Sequence, residues 1–229
     1  MVQNKNSVKT AGFTYIIIIL LGMVKVVLVD TRLIVSDNTS ETIVNINAQQ
    51  LIYNLGIISD LLMYSLVILL SYSLFRIVKD VNKNIASLAF LFRFGEAILG
   101  VVVTMFGGLL PIYLIKRQEL TAMMEFQQIL TVLFELRVAG LDIILFFVGV
   151  GGVLFFILFL IARLIPVSLS VWGIITYVSM IFISLLNILL PEKLITLESV
   201  LFASGALFEL VIGFWFIFKG INSTSTNPA

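Results

Sequence analysis

The sequence predicts an all-α fold, a polytopic transmembrane bundle of about six spans with an interfacial helix between spans 3 and 4. Three observations predict it. Hydrophobic residues make up 60% of the 229 positions and charged residues only 12%, against ~45–50% and ~25% in soluble domains. The mean hydropathy is +1.16. The apolar residues also gather into runs long enough to cross a bilayer, separated by short polar turns.

Residues 1–11 are polar and carry Lys5 and Lys9. They read as a cytoplasmic N-terminus. Gly12–Val29 is the first apolar run, broken only by Lys25. A basic stretch before an apolar one also suits a signal peptide, but no small-residue cleavage pattern follows. The run is therefore read as an uncleaved first span. Asp30–Gln50 is polar, with room for a short amphipathic turn near Ile43–Ile46. Leu51–Val78 is the second span and contains Asp60.

The turn at 79–84 leads into the third span, Ile85–Ile115, which holds Arg93, Glu96, Gly107, Gly108 and Pro111. Lys116–Gly140 is amphipathic and carries Glu119, Glu125, Glu135 and Arg137, too many charges for an ordinary span. It reads as an interfacial helix or as a water-exposed extension of the next helix. A seventh span through Gln127–Leu136 is the rival reading.

Leu141–Leu164 is the fourth span, rich in Phe and carrying Gly149, Gly151 and Gly152. Pro166 separates it from the fifth, Val167–Leu190. Pro111 and Pro166 read as helix ends. The sixth span is Thr196–Phe218, with Glu209 inside it, and the polar residues 222–229 read as a short disordered tail. Residues 12–221 thus form a single transmembrane domain.

Basic residues set the expected orientation. With the N-terminus inside, Lys5, Lys9, Arg76, Lys79, Lys83, Arg163 and Lys219 face the cytoplasm. Arg32, Lys116, Arg117 and Lys193 lie outside, with Lys25 and Arg137 near that interface. The expected placement is a bacterial cytoplasmic (inner) membrane, N-in and C-in.

Composition also excludes functions. Cys and His are absent, which removes thiol chemistry, Cys/His zinc sites and His-dependent acid–base catalysis from this chain. The 14 basic and 13 acidic residues leave no electrostatic footprint for nucleic acid. No catalytic, metal or nucleotide motif is present, and no cofactor is expected.

The informative residues are charges inside the spans. Each costs ~2.5–3.5 kcal/mol at mid-helix on translocon scales and tends to face the bundle interior. Asp60, Arg93, Glu96 and Glu209 form the candidate central polar site. Arg93 and Glu96 are spaced i, i+3 and share a helix face. The forked donors of Arg93 could bridge Glu96 and Glu209. Lys25 and Asp142, both near the outer interface, form a candidate secondary pair, and Lys25 could also reach Asp60. Trp172 and Trp215 read as interfacial anchors. Tyr15, Tyr53, Tyr64, Tyr72 and Tyr177 look scattered.

The ordered motifs carry a resemblance. Ala11-Gly12-Phe13-Thr14-Tyr15 opens span 1, and Leu55-Gly56-Ile57-Ile58-Ser59-Asp60-Leu61-Leu62 lies in span 2. Phe92-Arg93-Phe94-Gly95-Glu96-Ala97 lies in span 3, and Ile165-Pro166 through Trp172-Gly173 opens span 5. Span 6 runs from Glu209-Leu210 through Trp215 to Lys219-Gly220. Together, from Ala11 to Ile221, they resemble the bacterial membrane family of domain of unknown function 4386. The resemblance implies a multi-helix membrane protein with Asp60, Arg93, Glu96 and Glu209 as its polar signature. It implies no activity. Many family members carry a His before span 4; this chain has none, so no His-based mechanism transfers.

Three functions follow as expectations. A small transporter or ion-coupled carrier would line a central site with the buried charges. The chain is short for a full carrier, so a second copy or a membrane-protein partner is expected. A non-catalytic accessory or sensor would bind a lipid or a membrane protein and use the charges only structurally. An intramembrane enzyme would need a nucleophile or a metal, with only carboxylates, Ser, Tyr and Lys to supply it; Asp60 and Glu209 could hold a metal, but nothing groups a third oxygen ligand with them.

Overall fold

The computed structural model describes residues 2–35, 38–117, 124–190 and 195–222. Apolar runs longer than about 20 residues become helices because each backbone N–H and C=O is then satisfied within its own segment. Helix α1 is Val2–Lys25, continued by a π-helical turn Val26–Asp30 and a last turn Thr31–Leu33. Helix α2 is Thr39–Ala48 and α3 is Gln50–Val78. Helix α4 is Lys83–Thr104, continued by a π-turn Met105–Leu109 and the segment Leu110–Ile115. Helices α5 (Met124–Ile161), α6 (Val167–Leu189) and α7 (Ile195–Phe218) complete the fold. Among the described residues, six helices are long and apolar enough to cross a membrane; α2 is not one of them.

Local chemistry sets the ends. The Asn38 side chain accepts from the Glu41 backbone N–H at 3.0 Å and donates to the Glu41 carboxylate at 2.9 Å, which starts α2. Asn82 starts α4 by accepting from the Ile85 N–H at 3.1 Å. Arg163 takes a left-handed φ of 49° after α5, and the Leu164 N–H returns to the Phe159 carbonyl at 3.1 Å. Pro166 then opens α6. The chain after α7 is fastened to that same turn. The Asn222 backbone N–H donates to the Leu164 carbonyl and its side chain to the Arg163 carbonyl, at 2.8 and 2.9 Å.

The amphipathic stretch before span 4 is resolved by α5. Its 38 residues span ~57 Å at ~1.5 Å per residue, far more than a ~30 Å hydrocarbon core. Glu125, Glu135 and Arg137 therefore lie on an extension of span 4. They form neither an interfacial helix nor a seventh span. Residues 118–123 of that stretch lie outside the described residues, as do 223–229 of the expected disordered tail. Pro111 does not end its helix: the π-turn just before it absorbs the missing i−4 bond. The turn near Ile43–Ile46 is the ten-residue α2.

Two compact units are distinguished. The first comprises Met1–Ile19, Leu66–Ala97 and Asp142–Ala229. Its core is aromatic, with Phe155, Phe156, Phe159, Tyr177, Phe208 and Phe216 fully buried. Phe156 meets Phe208 edge-on at 5.1 Å. Helices α1 and α7 approach closely at Gly12, where a Cβ would stand 2.7 Å from the Gly213 carbonyl oxygen. In lipid, such contacts replace the hydrophobic drive between helices. The second unit comprises Leu20–Ser65 and Ile98–Leu141. Its core joins Leu33, Ile43, Ile46, Ile115 and Leu130. Thr39 and Thr131 share a 2.6 Å hydroxyl contact that ties α2 to α5.

Candidate functional site

Four helices of the first unit bring their polar side chains to one level. Arg93 lies ten residues into α4, and Tyr177 ten residues into α6. Tyr15 lies ten residues beyond Lys5 on α1, and Glu209 nine residues before the end of α7. Successive spans alternate in direction, so these distances are counted from one membrane face. At ~1.5 Å per residue each side chain lies ~15 Å deep, half of a ~30 Å hydrocarbon core.

Arg93 and Glu96 form an ion pair of 2.8 Å, and each residue is only 4% exposed. The Tyr177 hydroxyl donates to Glu209 Oε1 at 3.0 Å. The Tyr15 and Tyr177 hydroxyls lie 3.3 Å apart, and both rings are buried. Arg93 is close enough to Glu209, Tyr15 and Tyr177 to interact electrostatically. Among the described residues, however, the direct ion pair is to Glu96 alone. The expected double bridge is therefore half met: Arg93 holds Glu96, and Tyr177 holds Glu209.

Helix α5 sets this spacing with two glycines. A Cβ on Gly151 would lie 2.7 Å from Arg93 Cγ, and one on Gly152 would overlap the Tyr177 ring. The aromatic face of α6 and the Arg93 stem thus pack directly on the α5 backbone. Gly152→Val should push the Tyr177 ring away and lower stability by about 1–3 kcal/mol, as overpacking does. Gly22→Ala is the control, since only Met63 Sδ at 4.0 Å faces that position. Thermal unfolding in detergent should separate the two variants clearly.

The other candidate residues sit in different company. Asp60 is held by Lys25 at 2.7 Å, in the second unit. The pairing of Lys25 with Asp142 is not formed. Lys25 of α1 pairs instead with Asp60 of α3, and both lie within the second unit. Asp142 instead accepts from the Asn187 side chain at 2.7 Å, near the end of α6. A further pair, Arg137 with Asp30 at 2.7 Å, was not singled out from the sequence. Asp30 reads as a loop residue there, and its place in a π-turn is not visible in composition. Tyr15 and Tyr177 were also missed; equal distance from the helix ends is the signal that finds them.

The charge count separates these groups. Lys25–Asp60 and Arg137–Asp30 are each balanced, one cation to one carboxylate. The mid-depth group sets one guanidinium against two carboxylates, Glu96 and Glu209. A balanced pair locks helices together, and removing either member strands a charge. Lys25→Met should accordingly cost about 2.5–3.5 kcal/mol by stranding Asp60 in an apolar setting, while Lys25→Arg should keep most of the stability. Denaturant titration in mixed micelles reads this difference.

Six helices among the described residues are fit to cross a bilayer, and with ionisable side chains at mid-depth they define a multi-pass membrane protein. The particular family follows from the whole chain. It belongs to the family of domain of unknown function 4386 (DUF4386), whose model matches residues 10–220. Neither a curated protein nor a solved structure matches it.

Proposed function

We propose that the protein is a small ion-coupled carrier of the bacterial cytoplasmic membrane, with N- and C-termini inside. The observation that carries this reading is the unequal charge at mid-depth. One guanidinium faces two carboxylates, so the group becomes neutral on taking up one proton or one monovalent cation. A net charge held at that depth is costly, and exchanging a cation there is the event a coupled carrier needs. The Tyr15–Tyr177–Glu209 hydroxyl chain supplies a short hydrogen-bonded path to the second carboxylate. Residues 12–221 act as one transmembrane domain, and the polar 1–11 segment lies on the cytoplasmic side with Lys5 and Lys9. A second copy or a membrane-protein partner would complete so short a carrier.

The test is ion uptake into liposomes holding the purified protein, read with a pH-sensitive dye under an imposed gradient. Uptake that is saturable and lost on Glu209→Gln supports the reading. Uptake equal to that of empty liposomes overturns it. The glycine-tight packing around Arg93 and Tyr177 favours a second reading, a non-catalytic accessory protein whose buried charges only fix helix order. In that case Glu209→Gln changes stability and leaves ion movement at background.

A further inference from the structure

The second unit contains a polar group that the carrier reading does not use. Asp30 lies in the π-turn that ends α1, and Arg137 lies on α5. Gly107, in the π-turn of α4, lets the Arg137 stem lie directly on that backbone, since a Cβ there would overlap Arg137 Cβ. The Tyr53 hydroxyl caps the same turn by donating to the Gly108 carbonyl at 3.2 Å.

Asp30 lies three residues before the end of its span at Leu33, and Tyr53 three residues after the start of its span at Gln50. Each of these two spans has 29 residues, ~43 Å at ~1.5 Å per residue, which matches the ~40–45 Å of a bilayer with its headgroups and exceeds the ~30 Å hydrocarbon core. One turn from such an end is within the headgroup layer. The pair therefore stands among lipid headgroups.

It also has chemistry to spare. The 2.7 Å contact uses one guanidinium nitrogen, Nη2, and one carboxylate oxygen, Oδ1. Among the described residues the pair makes no other side-chain hydrogen bond, so Nη1, Nε and Oδ2 are available. The side chains are 14% and 33% exposed, against 5% and 5% for Arg93 and Glu96. A fork of guanidinium donors matches a phosphate. A carboxylate oxygen beside it matches an ammonium group that can donate hydrogen bonds.

We propose that Asp30 and Arg137 form a docking site for a zwitterionic phospholipid headgroup of the phosphoethanolamine type. Arg137 takes the phosphate and Asp30 the ammonium. A choline headgroup has no N–H to give Asp30, and a glycerol headgroup has no cation, so both bind less well. The site is independent of the mid-depth charge group and of whether the protein moves ions.

The test is native mass spectrometry of the detergent-purified full chain. The protein is mixed with equal amounts of dioleoyl phosphatidylethanolamine, phosphatidylcholine and phosphatidylglycerol. The wild type should retain the ethanolamine lipid severalfold over the other two. Arg137→Gln should lose retention of all three, and Asp30→Asn should lose only the preference among them. Arg137→Lys keeps a charge for Asp30 but not the fork. It should remain folded and monodisperse while retaining less lipid, which separates headgroup binding from unfolding. Equal retention of the three lipids by the wild type overturns the proposal. So does an unchanged preference in both Asp30→Asn and Arg137→Lys. Soluble phosphoethanolamine or inorganic phosphate is added in a separate arm. Displacement of the lipid at equimolar concentration would reassign the site to a soluble phosphate compound and overturn the lipid docking.

Discussion

Glu209→Gln should reduce coupled ion uptake by at least about tenfold, the change that ~1.4 kcal/mol of lost ion affinity produces, while the helices remain folded. Gln keeps the volume and can still accept from the Tyr177 hydroxyl, so the 3.0 Å contact survives. What disappears is the second carboxylate, and the mid-depth group becomes one guanidinium against one carboxylate. A balanced pair has no reason to exchange a cation. Glu209→Asp retains the charge and should retain part of the uptake, although the shorter arm draws away from Tyr177. Tyr177→Phe removes the hydroxyl and leaves the charge count intact. Its uptake should fall less than that of Glu209→Gln. Equal loss in both variants would place the Tyr177 hydroxyl, rather than the charge excess, at the centre of ion binding. Liposome uptake with matched protein orientation measures all three variants.

Arg93→Met should be the most destabilising single substitution among the intramembrane charges. It removes the guanidinium that faces Glu96 and Glu209, leaving two carboxylates at mid-depth in a space packed to fit an Arg stem. Breaking a buried pair by deleting one partner costs about 3–5 kcal/mol. The double variant Arg93→Met with Glu96→Gln should recover most of that loss, because the stranded charge beside it is gone. A double-mutant cycle built on mixed-micelle unfolding gives the coupling energy. A coupling near zero would mean that Arg93 and Glu96 are not held together in the folded protein. The cycle also separates structure from function. If the double variant is as stable as wild type and still moves ions, Arg93 serves helix packing alone.

The second unit offers a comparison for both results. Lys25–Asp60 joins α1 to α3, and Arg137–Asp30 joins α5 to the end of α1. Both are one-to-one, so each should behave as a helix clamp under mutation, with the larger cost for the more buried Lys25–Asp60. The Arg93 group differs by its extra carboxylate, and only there should charge-neutralising variants alter ion movement without loss of fold.

Much of this was legible in the residues themselves. Six apolar runs are each long enough to span a bilayer, which takes roughly 17–25 residues, and a lipid environment leaves the helix as the only open-chain way to satisfy their backbones. Their number and order, the i, i+3 pair Arg93–Glu96, and the family were therefore readable from composition, spacing and motif order. The all-α class followed for the same reason. Three things depended on tertiary structure. Partner choice did, because Lys25 had both Asp60 and Asp142 within plausible reach by depth, and only adjacency of helices decides between them. The Tyr15–Tyr177–Glu209 chain did as well, since its members are 162 and 32 residues apart and no local pattern links them. The π-turns were the third. A helix widens by one residue where packing rewards it, at Asp30 and before Pro111, and hydropathy has no term for that. The sequence by itself determined which segments cross the membrane, because that is settled residue by residue against lipid. Which buried charges meet was decided only by the packing of helices, because that depends on neighbours far away in the chain.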